Sequence, residues 1–157
     1  AYYQRLGLYR APALNMPVSF DEKNDSSRSL RISPLQAGIA AALLSNHGIM
    51  PVPRIAMAVN TPQQGWVVLS EENQPSEVIR AKAADEAALS FIVEGKPYWR
   101  HVGQANVDDK TVITWLLAGT LPDWGGTPLV VVVTLEEDNM ILAKNIGTNI
   151  FDTALNK

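Results

Sequence analysis

Apolar positions along this chain change period several times, and each change marks an element. Residues 33–47, "SPLQAGIAAALLSNH", form the clearest helical segment. Ser33 suits the N-cap and Pro34 the first helical position. Leu35, Ile39, Ala42 and Leu43 fall on one face, and the many alanines permit close packing. Gly48 ends the helix, and "MPVP" then forces extended backbone, because each proline pushes the residue before it out of the α region. Residues 54–60 and 65–69, "RIAMAVN" and "GWVVL", joined by "TPQQ", read as a β-hairpin. Residues 76–93 read as a second helix, capped by Ser76, with Val78, Ala81, Ala84, Ala88 and Ile92 along one side. Gly95 and Pro97 stop it.

Three strands follow at about 98–106, 111–119 and 128–136. The last, "PLVVVVTLEE", is apolar on both alternating faces, which predicts a strand covered on both sides. Residues 139–155 return to helical spacing through Met140, Ala143, Ile146, Ile150 and Leu155. At the other end, residues 2–7 read as a last helical turn with Gly7 in the left-handed position. Residues 8–31 read as a proline-broken leader followed by an exposed polar loop, "DEKNDSSRS". The predicted fold is α+β: an antiparallel sheet, made of the three C-terminal strands plus the hairpin, packed with α-helices.

Composition narrows the class. A chain of 157 residues with 46% hydrophobic content supports a single domain with a core. The net charge of −3 is slight and the basic residues are scattered, so no cationic stripe for nucleic acid is present. There are no cysteines, which removes disulfides, thiolate chemistry and sulfur-based zinc sites. His47 and His101 are far apart, so no histidine-rich metal site is expected, and no cofactor motif is present. No apolar run reaches the ~20 residues of a membrane span. The opening "AYYQRLGLYR" reads as the end of a helix already under way, so the chain is expected to be a portion of a longer protein.

Candidate chemistry is sparse. No Ser-x-x-Lys exists: Ser19, Ser70, Ser76 and Ser90 are followed three residues on by Glu22, Asn73, Ile79 and Val93. There is no Gly-x-Ser-x-Gly elbow, phosphate loop or His-Glu-x-x-His. The carboxylate clusters Asp108/Asp109, Glu136/Glu137/Asp138 and Glu71/Glu72 fall at predicted turns or strand ends, where acids serve as solvated turn formers. His101 lies on a strand with no partner acid at a telling spacing. Trp66, Trp99, Trp115 and Trp124 are expected to pack near strand starts rather than line a sugar site.

One stretch carries a resemblance. "ISPLQAGIAAALLSNHGIMPVPRI" is similar to a segment of the penicillin-binding proteins, the D,D-transpeptidases of peptidoglycan synthesis. That family has Thr-Pro-Leu-Gln, an alanine-rich stretch, Asn-Gly-Gly and a nearby proline. Here Ser33-Pro34-Leu35-Gln36, Ala40-Ala41-Ala42, Asn46-His47-Gly48 and Pro51 follow in that order. "LGLYRAPALNMP", Trp115-Leu116 and "PLVVVVTLEED" resemble further family pieces, so the likeness runs from about residue 2 to 155.

The resemblance implies that residues 1–157 are one domain, the C-terminal portion of a transpeptidase-like domain. It also exposes departures. Aligning "RHVGQA" on the family's Gly-Lys-Thr-Gly-Thr-Ala puts His101 at the lysine, Val102 at the threonine, Gly103 at its glycine and Gln104 at the second threonine. A mostly neutral imidazole is a poor substitute for a fixed cation, and valine offers no hydroxyl. Lys110-Thr111 is no replacement, because Val112 follows it. The family's nucleophile motifs would lie upstream of Ala1. The resemblance therefore implies no catalytic residue in this chain, with His101, Val102, Gly103 and Gln104 as a degenerate ligand-binding strand.

The expected role is a non-catalytic scaffold or binding module at the bacterial cell envelope, extracytoplasmic, with any membrane anchor in the parent protein. Its expected ligands are a peptidoglycan peptide or a β-lactam. The valine-rich strand is expected to lack the neighbour the family gives it, and to be covered by the remainder of the parent protein, a second copy or a rearranged terminal segment. Two other readings stand beside it: part of an active transpeptidase or β-lactam-binding enzyme whose serine lies upstream, and a stand-alone α+β interaction domain.

Overall fold

Why the alanine-rich segment becomes a helix is visible at its first turn. Ser33 Oγ accepts from the Gln36 amide at 3.2 Å, and the Gln36 side chain accepts from the Ser33 amide at 2.9 Å. This reciprocal cap opens helix α2, Pro34–Ser45, with proline where its missing N–H costs nothing. The computed structural model describes residues 2–12, 14, 30–70, 74–108 and 110–155. The polar loop expected at 21–29, and the acids Glu71, Glu72 and Asp109, lie outside them.

The elements in chain order are α1 (Tyr2–Arg5), α2, β1 (Ile49–Met50), β2 (Ala58–Thr61), β3 (Gly65–Val68), β4 (Ser76–Glu77), α3 (Ala81–Ser90), β5 (Tyr98–Asn106), β6 (Val112–Thr120), β7 (Val130–Leu135) and α4 (Met140–Leu155). The main sheet runs β5-β6-β7, all antiparallel, with Gly103 opposite Trp115 and Leu116 opposite Val133. Contrary to expectation, the β2–β3 hairpin does not join it and forms a two-stranded sheet of its own.

The sheet sits between two helical layers. On one face α4 lays Ala143, Gly147 and Phe151 against Tyr98, Leu116, Ala118 and Val133. Phe151 stacks on Tyr98 with ring centroids 4.5 Å apart. Gly147 allows this approach, since a Cβ there would lie 2.8 Å from Leu116 Cδ2. On the other face α2 covers β6 and β7, and α3 packs on α2 and the start of β5. Ala41, Ala88 and Trp99 form that second core. The Trp99 indole donates to Ser45 Oγ at 3.0 Å, and Gly119 leaves room for both groups. β7 is thus covered on both faces, as its unbroken valines require, yet it stands at a margin of the sheet.

The helical faces differ in detail from the predicted ones. In α2 the buried residues are Gln36, Ala37, Ala41, Leu43 and Ser45, while Leu35 is exposed. The helix is enclosed by sheet, α3 and β1, so no single stripe dominates. In α3 Ala84 and Ala88 are buried and Ala81 is exposed; the helix ends at Ser90 rather than 93, and exposed Ile92 instead bridges to Trp99. In α4 the packed stripe runs through Gly147 and Phe151, and Met140 and Ile150 face outward.

The largest correction concerns residues 76–80, expected to be helical and found extended. Ser76 and Glu77 pair with Met50 and Ile49, and the Val78 and Ile79 amides both donate to Gly48 O. Gly48 holds a φ of +77°, and a Cβ there would collide with Ile79 O. With its backbone captured, the segment turns helical only at Ala81, where Arg80 occupies the N-cap without a side-chain bond. The leader is bound as well. Gly7 takes the left-handed position after α1, with Leu8 N donating to Tyr3 O and Gly7 N to Gln4 O. Arg5 donates to Val78 O, and Gln36 Nε2 donates to the carbonyls of Leu8 and Arg10 at 3.3 and 3.0 Å.

Candidate ligand-binding edge

β5 begins buried and ends open. Its first residues are closed in by the turn after α3: Arg100 N donates to Phe91 O at 2.9 Å, and Tyr98 O accepts from Val93 N at 3.1 Å. Those bonds show that even-numbered residues of β5 aim their backbone groups away from β6. Antiparallel alternation therefore sends the amide and carbonyl of Val102 and Gln104 outward too. No described strand pairs with that stretch.

Side chains alternate the other way. His101, Gly103 and Ala105 stand on the α2 side of the sheet, beside Leu117, Trp115 and Ile113 of β6. α2 lies over β6 and β7 rather than β5, so this part of the face is uncovered. The result is an open groove of about 840 Å³ whose walls include Arg31, Ile32, Gly103, Ala105, Ile113 and Trp115.

The sequence-predicted residues thus divide. His101 is exposed, with its ring 4.9 Å from that of Phe91. Gly103 lies in the groove. Its strand register is unbroken, and a Cβ would find only His101 Nε2, at the ordinary contact distance of 3.8 Å. Neither a bulge nor internal crowding accounts for this glycine. Val102 turns to the other face and packs against the core under α4. Gln104 leans the same way and donates to Asp138 in the turn before α4.

Arg31, Ile113 and Trp115 were not singled out from the sequence as groove residues. The signal was the cross-strand register: a turn at 107–111 sets Gly103 opposite Trp115. Asp108 behaves as a turn former. Asp108 Oδ1 accepts from the amides of Lys110 and Thr111, both at 2.8 Å, and these bonds hold its carboxyl below the usual value. Thr114 Oγ1 donates to Glu137 O at 2.7 Å and accepts from Asn139 N at 3.1 Å, fixing the β7–α4 turn. Of the tryptophans, Trp99 packs at a strand start as expected. Trp66 does not, and stands 72% exposed.

The groove offers an extended backbone edge, apolar and aromatic walls and one guanidinium. Its described lining includes no serine, lysine or carboxylate. Among these lining residues none offers a nucleophile or an acid–base pair.

Comparison with solved structures follows this geometry. Penicillin-binding protein A from Mycobacterium tuberculosis aligns with a TM-score of 0.77 at 17% identity, over 98% of this chain and 42% of that one. The same protein as an imipenem acyl-enzyme complex gives 0.73 at 19% identity, over 98% and 41%. The D,D-transpeptidase domain of a peptidoglycan glycosyltransferase from Eggerthella lenta gives 0.69 at 12%, over 99% and 46%. The chain has a penicillin-binding-protein transpeptidase-like fold. It spans less than half the length of these penicillin-binding-protein and transpeptidase structures. No protein-family model and no curated protein sequence matches it. Among the described residues, no helix is long and apolar enough to cross a membrane.

Proposed function

We propose that this chain is the C-terminal portion of a penicillin-binding-protein-like transpeptidase domain that binds ligand without acyl transfer, on the extracytoplasmic side of the cell envelope. The observation that carries the reading is the β5 edge. Val102 and Gln104 aim their backbone groups outward with no described strand beside them, Gly103 leaves space there, and the described lining includes no nucleophile. An extended peptide adds to such an edge as a further strand, drawing affinity from main-chain bonds and specificity from the flanking pockets. The ligand class is a peptidoglycan peptide or a β-lactam, the latter by analogy with the imipenem complex of penicillin-binding protein A. His101 takes the place of a fixed cation, so the grip on a carboxylate is weaker than a lysine would give.

The test has two arms. Incubation with a fluorescent penicillin is expected to leave no covalent label on a denaturing gel. Titration with a peptide ending in D-Ala-D-Ala is expected to shift the amide resonances of residues 102–105, and Gly103→Val to abolish the shifts. A covalent label on a serine of this chain overturns the reading. Labelling confined to a longer parent chain, and lost on mutation of a single upstream serine, establishes the active-enzyme alternative.

A further inference from the structure

The hairpin β2–β3 contains no fully buried residue. On β3 Trp66 is 72% exposed and Val68 79%, and just before β2 Ile55 is 66% and Met57 70% exposed, while Ala58, Thr61 and Val67 are half-buried. From Ile55 to Ser70 the chain has no charged residue. Natural proteins guard exposed strand edges with charges, prolines or bulges, and an isolated two-stranded hairpin is marginal in water. A partner strand on such a hairpin would be stabilising.

The two edges are unequal. β2 is flanked by Pro53 and Pro62, whose missing N–H groups discourage a neighbour. β3 and its continuation, "GWVVLS", have no proline and no charge, the profile of a self-pairing strand. Its backbone is correctly phased. Leu69 N donates to Met57 O at 2.9 Å and Val67 lies opposite Val59, so odd-numbered residues bond inward. Trp66 and Val68 consequently aim their amides and carbonyls outward.

We infer that β3 pairs antiparallel with β3 of a second copy of this chain, about a two-fold axis at Val67. In that register Trp66 of each copy faces Val68 of the other, and their outward N–H and C=O groups bond reciprocally. The two exposed side chains become an aromatic–β-branched cross-strand pair on one face. A two-fold contact places like against like, and the absence of charge makes that free of repulsion. The hairpin tip argues against insertion into a lipid surface. It is polar, with Thr61 Oγ1 accepting from Gln64 N at 3.1 Å, and the apolar residues lie on the stem. The inference stands apart from the ligand reading of β5 and draws on none of its residues.

The test is molar mass by sedimentation over a concentration series, with circular dichroism as a check on folding. The wild type is expected to shift from monomer to dimer as concentration rises. Val68→Lys, at an already exposed position, is expected to raise the dissociation constant ~10-fold or more by setting charges at the seam. Since the chain has no cysteine, Val67→Cys supplies a unique thiol. Across a non-hydrogen-bonded pair, Cα atoms lie ~4.5 Å apart, within disulfide reach. Mild oxidation is expected to cross-link Val67→Cys far faster than a Gln63→Cys control at the tip. Three outcomes overturn the inference: a wild type monomeric throughout, which points to a cover from another protein or a longer chain; a dimer indifferent to Val68→Lys; or equal cross-linking of the two cysteine variants.

Discussion

Two buried polar groups close together in sequence have opposite fates. The Trp99 indole has its acceptor in Ser45, while the Tyr98 hydroxyl is buried with no described partner. Removing Ser45 Oγ strands a buried donor, so Ser45→Ala is expected to cost about 1–3 kcal/mol in urea unfolding. Tyr98→Phe deletes only the unpaired hydroxyl and keeps the stack on Phe151, so its stability should equal or exceed the wild type's. Asp108 offers a pH test. Its pKa is depressed below 3.8, first by the Lys110 amide and then by Thr111. A depressed carboxylate contributes stability above its unfolded pKa and loses it as pH falls through the folded value. Asp108→Ala should therefore melt below the wild type at neutral pH, with the gap closing in strong acid. Lys96 has the reverse sign. Its bond to Asp152 at 2.8 Å raises it above 10.5, so that contribution is present at neutral pH and fades in strong alkali.

Elements were legible in the sequence where their signals are local. Ser33, Pro34 and Gln36 sit within one turn, and they set the start of α2 without help from the rest of the chain. The three strands and the final helix follow from alternation and helical spacing in the same way. The start of α3 was not legible, because the distant Gly48 O holds Val78 and Ile79 extended. The separation of the hairpin from the main sheet was hidden for a similar reason: alternation reveals a strand, not which sheet it joins. At the candidate edge, His101 and Gly103 could be read from the motif, whereas Trp115 needed the register. Glycines test this packing. Gly119→Ala and Gly147→Ala press a methyl into filled space and are expected to cost about 1–3 kcal/mol. Gly103→Ala has room, and its unfolding free energy should stay within about 0.5 kcal/mol of wild type.

At the scale of the whole molecule, the sheet has two margins of different character. β5 is closed at its start and open at its end. β7 has no described neighbour beyond β6 along its whole length. Thr120 N donates to Leu129 O at 2.9 Å, which phases the odd-numbered residues of β7 toward β6. In hydrogen exchange of this chain, the amides of Val130, Val132 and Thr134 should therefore exchange quickly while those of Val131 and Val133 are protected. Slow exchange at all five would show that something already covers the margin.

Gln36 ends the matter on a small scale with a wide reach. One amide both closes the first turn of α2 and clasps the leader through the carbonyls of Leu8 and Arg10. One of the leader's moorings is thus shared with the helix start, while Arg5 holds a second on Val78 O. Replacing Gln36 with glutamate keeps the acceptor but takes away the hydrogens those carbonyls require, so the stretch from Leu8 to Arg10 would loosen while the helix stayed wound and Arg5 kept its hold on Val78 O.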